Sequence, residues 1–149
     1  MSESQWKSGP DLSAQELHNL LRLRVDVFVV EQACAYPELD GRDLLDTTVH
    51  GWITESGEIV AAIRLLFDEE PPRIGRVVTR SDQRGQRLAQ RLLQAAHERC
   101  GPTGSFLEAQ SYLAEWYTEQ GWTVSGGEFI EDGIPHMPMR RSAGDPLGD

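Results

Sequence analysis

Apolar positions along the chain first take a helical rhythm, then a strand-like one, and then alternate between the two. Ser13-Ala14-Gln15-Glu16 has the form of a capping box, with Ser13 bonding forward and Glu16 reaching back to free amide donors. Leu12 and Leu17 stand at the positions of a hydrophobic staple. Leu17, Leu20, Leu21, Val25, Phe28 and Val29 then recur at helical spacing, with Val25 one place out of register. Pro37 and Gly41 end this helix, and 36–47 reads as a loop. Two β-rich runs, 49–54 and 59–67, are joined through Glu55-Ser56-Gly57-Glu58 as a hairpin. The second is apolar on both faces, as a strand inside a sheet is. A turn over 68–72 leads to a strand over 73–79. A second helix is predicted over 84–100, with Leu88, Leu92, Leu93, Ala96 and Cys100 as its stripe and Gly101-Pro102 as its stop. A strand over 105–109, a short helix over 111–120 ended by Gly121, and closing strands over 122–125, 128–130 and 136–140 follow. Asp132-Gly133 supplies the last hairpin turn. This order predicts an α/β or α+β layered domain around one sheet.

The chain has 149 residues, about the size of one domain, and needs no metal or disulfide to hold a core. We expect one domain over 1–141 and a frayed tail over 142–149, which has nothing to bury. Fourteen basic against 24 acidic residues give a net charge of −10, which argues against nucleic acid or an anionic membrane as partner. Residues 1–16 are polar and lack a signal-peptide stretch, and no apolar run approaches the ~18 residues of a spanning helix. Cys34 and Cys100 show neither metal spacing nor a CxxC pair, so they read as free thiols, no metal is expected, and the location reads as cytoplasmic.

One window departs from the acidic whole. Arg73, Arg76, Arg80, Arg84, Arg87 and Arg91 fall between 73 and 91 with Asp82 as the only acid. The cluster lies where a strand ends and a helix begins, and a helix N-terminus offers unpaired amide donors and a positive dipole end. Cations there are unfavourable to the helix itself, so anion binding, phosphate in particular, is expected ahead of pairing with the protein's own carboxylates. Gly85 lets the backbone come close to such a ligand. The absence of GxxxxGK[ST] and GxGxxG speaks against nucleoside triphosphates and dinucleotides.

Arg76-Val77-Val78-Thr79 followed by Arg84-Gly85-Gln86-Arg87-Leu88-Ala89 resembles the acyl-CoA motif of the GNAT N-acetyltransferase superfamily, Gln/Arg-x-x-Gly-x-Gly/Ala. Arg87 stands where the motif has its middle glycine. Residues 24–32, 36–44, 107–110 and 131–137 resemble the ElaA-like subgroup, in the same order along the chain. The resemblance implies a mixed, V-splayed sheet flanked by helices, with acetyl-CoA or another acyl-CoA wedged as cosubstrate between strands 73–79 and 105–110. It implies transfer of the acyl group to a small-molecule or peptide amine by direct attack, and a homodimer is among the assemblies it allows. By position, Val77 and Val78 would meet pantetheine, and Arg84, Gly85, Gln86, Arg87, Leu88 and Ala89 would surround the phosphates. Tyr117 matches the tyrosine that the family places near the sulfur as general acid. Candidates for the base are Glu31, His50, Glu108 and His136, with His136 in the segment most like the subgroup; a water chain is the other route. Glu31, Gln32, His50, Arg64 and Gln110 are the residues expected to line the acceptor pocket. Two alternatives remain: a ping-pong route through Cys34 or Cys100, and a non-catalytic acyl-CoA-binding or protein-interaction module, for which Arg87 is the main support.

Overall fold

The capping box forms in full: the Glu16 amide donates to Ser13 Oγ at 3.0 Å, and the Ser13 amide donates to Glu16 Oε1 at 2.9 Å. It opens α1, Ala14–Arg24, in the computed structural model, which describes residues 3–33 and 38–143. Cys34, the Tyr36-Pro37 part of the loop and tail residues 144–149 lie outside the described residues. From Val25 to Glu31 the helix continues as a π-helix, in which the Gln32 amide donates five residues back to the Val27 carbonyl at 3.0 Å. A π turn holds one residue more than an α turn, which accounts for the broken register at Val25. The predicted stripe needs correction accordingly: Leu20, Leu23 and Val27 are buried, whereas Leu21, Val25 and Val29 are half-buried.

One mixed sheet has the order β1-β2-β3-β4-β5-β8-β6, with β7 also on β8. Its strands are β1 Ser4–Ser8, β2 Thr48–Glu55, β3 Glu58–Leu66, β4 Arg73–Thr79, β5 Ser105–Gln110, β6 Thr123–Val124, β7 Phe129–Glu131 and β8 Ile134–Arg141. Both predicted hairpin turns carry two left-handed residues, Ser56-Gly57 and Asp132-Gly133, as a two-residue hairpin turn of this hand requires. β1 was not predicted. It pairs antiparallel with β2, and its Trp6 ring lies so close to Gly51 that a Cβ there would sit 2.4 Å from it.

Side-chain alternation sends the two faces of the sheet to different helices. Trp52, Ala62 and Val78 pack with Leu20, Leu23 and Val27 under α1. Ile53, Ala61, Ile63 and Ile74 pack with Leu92, Leu93 and Ala96 of α2, Leu88–Cys100, and with Tyr117 of α3, Ala114–Glu119. The helix expected to start at residue 84 starts at Leu88, because Arg87 caps it in the left-handed region. None of the helices is long and apolar enough to cross a membrane, among the described residues.

The splay implied by the resemblance is present. β4 and β5 run parallel but pair only at Arg73↔Phe106 and Ile74↔Leu107. Beyond Ile74, β4 stays with β3, while Glu108, Ala109 and Gln110 of β5 stay with β8.

Candidate active site

A β-bulge helps to steer β4 away from β5. Arg76 and Val77 together oppose the single residue Ile63, and Arg76 takes φ 51° to do so. The parted strands hold a cleft in two adjoining parts, about 500 Å³ and 800 Å³, which share Phe28, Gln32, Val77, Leu113 and Tyr117 as walls.

The larger part runs over the end of β4 to the turn before α2. It is lined by Val77, Val78, Arg84, Gly85, Arg87, Leu88 and Ala89. Gly85 has φ 85°, and a Cβ there would meet nothing within 4 Å. Arg87 has φ 62° and ψ 26°, so the position where the motif has glycine keeps the backbone that glycine favours. Its exposed side chain makes no hydrogen bond or ion pair among the described residues. Gln86 does not line the groove; its amide donates to Gln83 Oε1 at 3.2 Å.

Four of the six arginines of the window pair with the protein's own carboxylates. Arg73 pairs with Glu108, Arg76 with Glu38 and Asp40, Arg80 with Glu58 and Asp82, and Arg84 with Glu31. Apart from Asp82, these carboxylates come from outside the window, where a local charge count could not see them.

Tyr117 stands where the two parts of the cleft join, with its ring edge-on to Trp116 and Trp122. Burial pushes its phenol well above the ordinary range, so it stays protonated. The smaller part beyond it is lined by Gln32, Asp40, Arg64, Glu108, Gln110 and His136, among others. His136 lies opposite Gln110 in the β5–β8 ladder, stacks on Phe129, and has Nδ1 2.7 Å from the Ile134 carbonyl. A carbonyl only accepts, so the neutral ring carries its proton on Nδ1 and leaves the Nε2 lone pair available.

The floor of this part is an ionic network in which Arg24, Arg64 and Arg76 meet Glu38, Asp40 and Asp43. Arg24 Nε donates to Glu38 Oε2 at 2.6 Å and Nη1 to Asp43 Oδ1 at 2.7 Å. Arg64 holds Asp40 at 2.8 Å and Asp43 at 3.2 Å, and Arg76 holds Glu38 at 2.8 Å. Burial opposes the charge on Asp40, but Arg64 outweighs it and brings the carboxyl down to about 2. Asp43 is likewise lowered against its burial, mainly by Arg24.

Two acceptor-pocket expectations are corrected. His50 is 1% exposed and its Nε2 lies 2.9 Å from the Asp43 carbonyl, so it is a packed residue beside the network rather than part of the cleft. Burial lowers its pKa. Glu31 lies in the larger part, on Arg84, rather than on the acceptor side. Arg64 does line the smaller part, with its guanidinium committed to Asp40 and Asp43. Cys100 is buried and its thiol is pushed up to about 11, which leaves it unsuited to nucleophilic attack. Among the described residues no cluster of three or more His, Cys, Asp or Glu is arranged to hold a metal. The sequence reading missed Phe28, Gln83, Tyr112, Trp116 and Glu131, which also line the cleft. Tyr112 had a usable signal, a large aromatic on a short helix, and it proves 72% exposed.

Comparison with known proteins gives a consistent result. A family model described as "Acetyltransferase (GNAT) domain" matches residues 10–143. A UPF0039 protein of Mycobacterium tuberculosis is 50% identical over 136 residues, 88% of this chain and 87% of that one. The crystal structure of an acyl-CoA N-acyltransferase from Pseudomonas aeruginosa superposes with a TM-score of 0.84 at 41% identity, covering 94% of this chain and 99% of the other. The crystal structure of Escherichia coli ElaA superposes with a TM-score of 0.88 at 37% identity, covering 95% and 100%.

Proposed function

The chain belongs to the GNAT acetyltransferase family, and from that footing we propose that it transfers an acyl group, acetyl in the first instance, from acyl-CoA to a primary amine without a covalent enzyme intermediate. The observation that carries this reading is the continuous cleft from the 84–89 turn, past Tyr117, to His136. Pantetheine lies along the unpaired side of β4 near Val77 and Val78. The phosphates lie at Arg84, Gly85, Arg87, Leu88 and Ala89, and the thioester lies beside Tyr117. The acceptor enters from the side of Gln32, Arg64, Gln110 and His136.

The neutral amine attacks the thioester carbon, the carbon–sulfur bond breaks, and the electron pair leaves on sulfur. Tyr117, still protonated at neutral pH because burial raises its phenol, gives its proton to that thiolate. His136 Nε2 takes the proton that the nitrogen sheds. No metal takes part in this route.

The alternative of a non-catalytic binding module rested on Arg87, and the left-handed backbone at Arg87 weakens it, since the turn keeps its shape with a side chain in place. Acetyl-CoA binding raises the melting temperature under either reading. Free thiol release with a panel of mono-amines, diamines, amino acids and peptide N-termini is expected only of an enzyme. A thermal shift without thiol release from any amine favours the binding module, and no shift with any acyl-CoA removes both.

A further inference from the structure

Glu31 and Arg84 face each other across the phosphate end of the groove, 53 positions apart in sequence. Arg84 Nη1 donates to Glu31 Oε2 at 2.6 Å, Nη2 to Oε1 at 3.0 Å, and Nε to the Thr79 carbonyl at 3.2 Å. All three nitrogens of the guanidinium are therefore engaged. The paired nitrogens grip the carboxylate in the same fork that grips two oxygens of a phosphate, so one guanidinium cannot hold both. The two side chains are 45% and 41% exposed, which makes the pair exchangeable rather than locked. Glu31 ends the π-helical segment, and the next residue, Gln32, lines both parts of the cleft. Arg87, which makes no ion pair among the described residues, offers a charge to draw in a phosphate while Arg84 is still held.

We propose that Glu31 is a built-in competitor for the phosphates of the cosubstrate. Acyl-CoA binds by taking the Arg84 fork from Glu31, so Glu31 sets the affinity of the phosphate end without touching the thioester. The inference rests on the reading above that the diphosphate lies at the 84–89 turn. It goes beyond that reading by giving Glu31 a role opposed to binding.

The test is calorimetric titration of the wild type, Glu31→Gln and Glu31→Ala with CoA, and with phosphate-free pantetheine, at one ionic strength. Removing the competing charge should tighten CoA binding by about three- to tenfold in both variants and leave pantetheine unchanged. In an Arg84→Ala background the gain from Glu31→Gln should fall to less than half, because the fork under contest is gone. CoA affinity unchanged or weakened by Glu31→Gln, or an equal gain for pantetheine, overturns the inference. A wild type with no affinity for CoA instead removes the acyltransferase reading beneath it.

Discussion

Arg24 and Glu38 meet at 2.6 Å with side chains only 2% and 3% exposed. The contact ties α1 to the loop that leads into β2, and Arg76 of β4 shares the same carboxylate oxygen. Removing Arg24 takes one cation from a buried site and leaves Glu38 and Asp43 each with one arginine fewer. Arg24→Ala is therefore expected to destabilise the fold by about 3–5 kcal/mol, read by urea denaturation. A loss under about 1 kcal/mol would show that water enters and solvates the acids.

The same network sets an acid limit to stability. Asp40 and Asp43 titrate below their ordinary value in the folded protein, so their contribution is complete above the unfolded value near 4 and is lost as pH falls through the folded one. For Asp40 that window runs from about 4 to about 2. The melting temperature should begin to fall below about pH 6.5, where the unfolded chain takes up a proton that buried His50 resists, and fall more steeply below 4, with the lower fall shallower in Asp40→Asn. A variant curve parallel to the wild type would remove Asp40 from the account.

Tyr117→Phe keeps the ring and its contacts with Trp116 and Trp122 while deleting the hydroxyl. We expect kcat to fall by roughly 10²–10⁴-fold with the melting temperature within about 2 °C of wild type. An unchanged rate would reduce Tyr117 to a packing residue.

For His136, the prediction separates a base from a wall. His136→Gln should lower kcat/KM by roughly 10²–10⁴-fold at neutral pH while leaving the Kd for CoA as it was. A drop of less than about threefold would assign the proton transfer to water.

Arg87→Gly should move stability and binding in opposite directions. A non-glycine residue in the left-handed region costs about 1 kcal/mol, so glycine should raise the melting temperature by about 2–4 °C. The same change should weaken CoA binding by about fivefold and leave pantetheine unaffected, since one phosphate contact goes. Equal stability in both proteins would mean that contacts of the arginine stem offset the strain.

The sequence disclosed what is encoded locally. The Ser13–Glu16 capping box, the Ser56-Gly57 and Asp132-Gly133 turns and the strand at 73–79 depend on neighbours a few residues away, and each formed as expected. Long-range pairings were less legible. Arg24 looks like a residue on the outer face of a helix, because its partners Glu38 and Asp43 lie 14 and 19 residues on, in a segment without periodicity. β1 escaped notice since Ser4–Ser8 is polar apart from Trp6, whose packing against Gly51 depends on a strand more than forty residues away. At the site, Tyr117, Gln32, Gln110 and His136 share the smaller part of the cleft, while Glu31 was drawn to the larger part by charge and His50 out of the cleft by burial.

Two rungs join β4 to β5, and everything N-terminal in the sheet hangs from everything C-terminal by them. A seam that short is a natural crease, about which the two wings can breathe. A slender guest with amide groups at peptide spacing, lying along the crease, would splint it. Deuterium uptake in the far end of β4 should then slow when such a guest arrives, making the protein's rigidity a gauge of its occupancy.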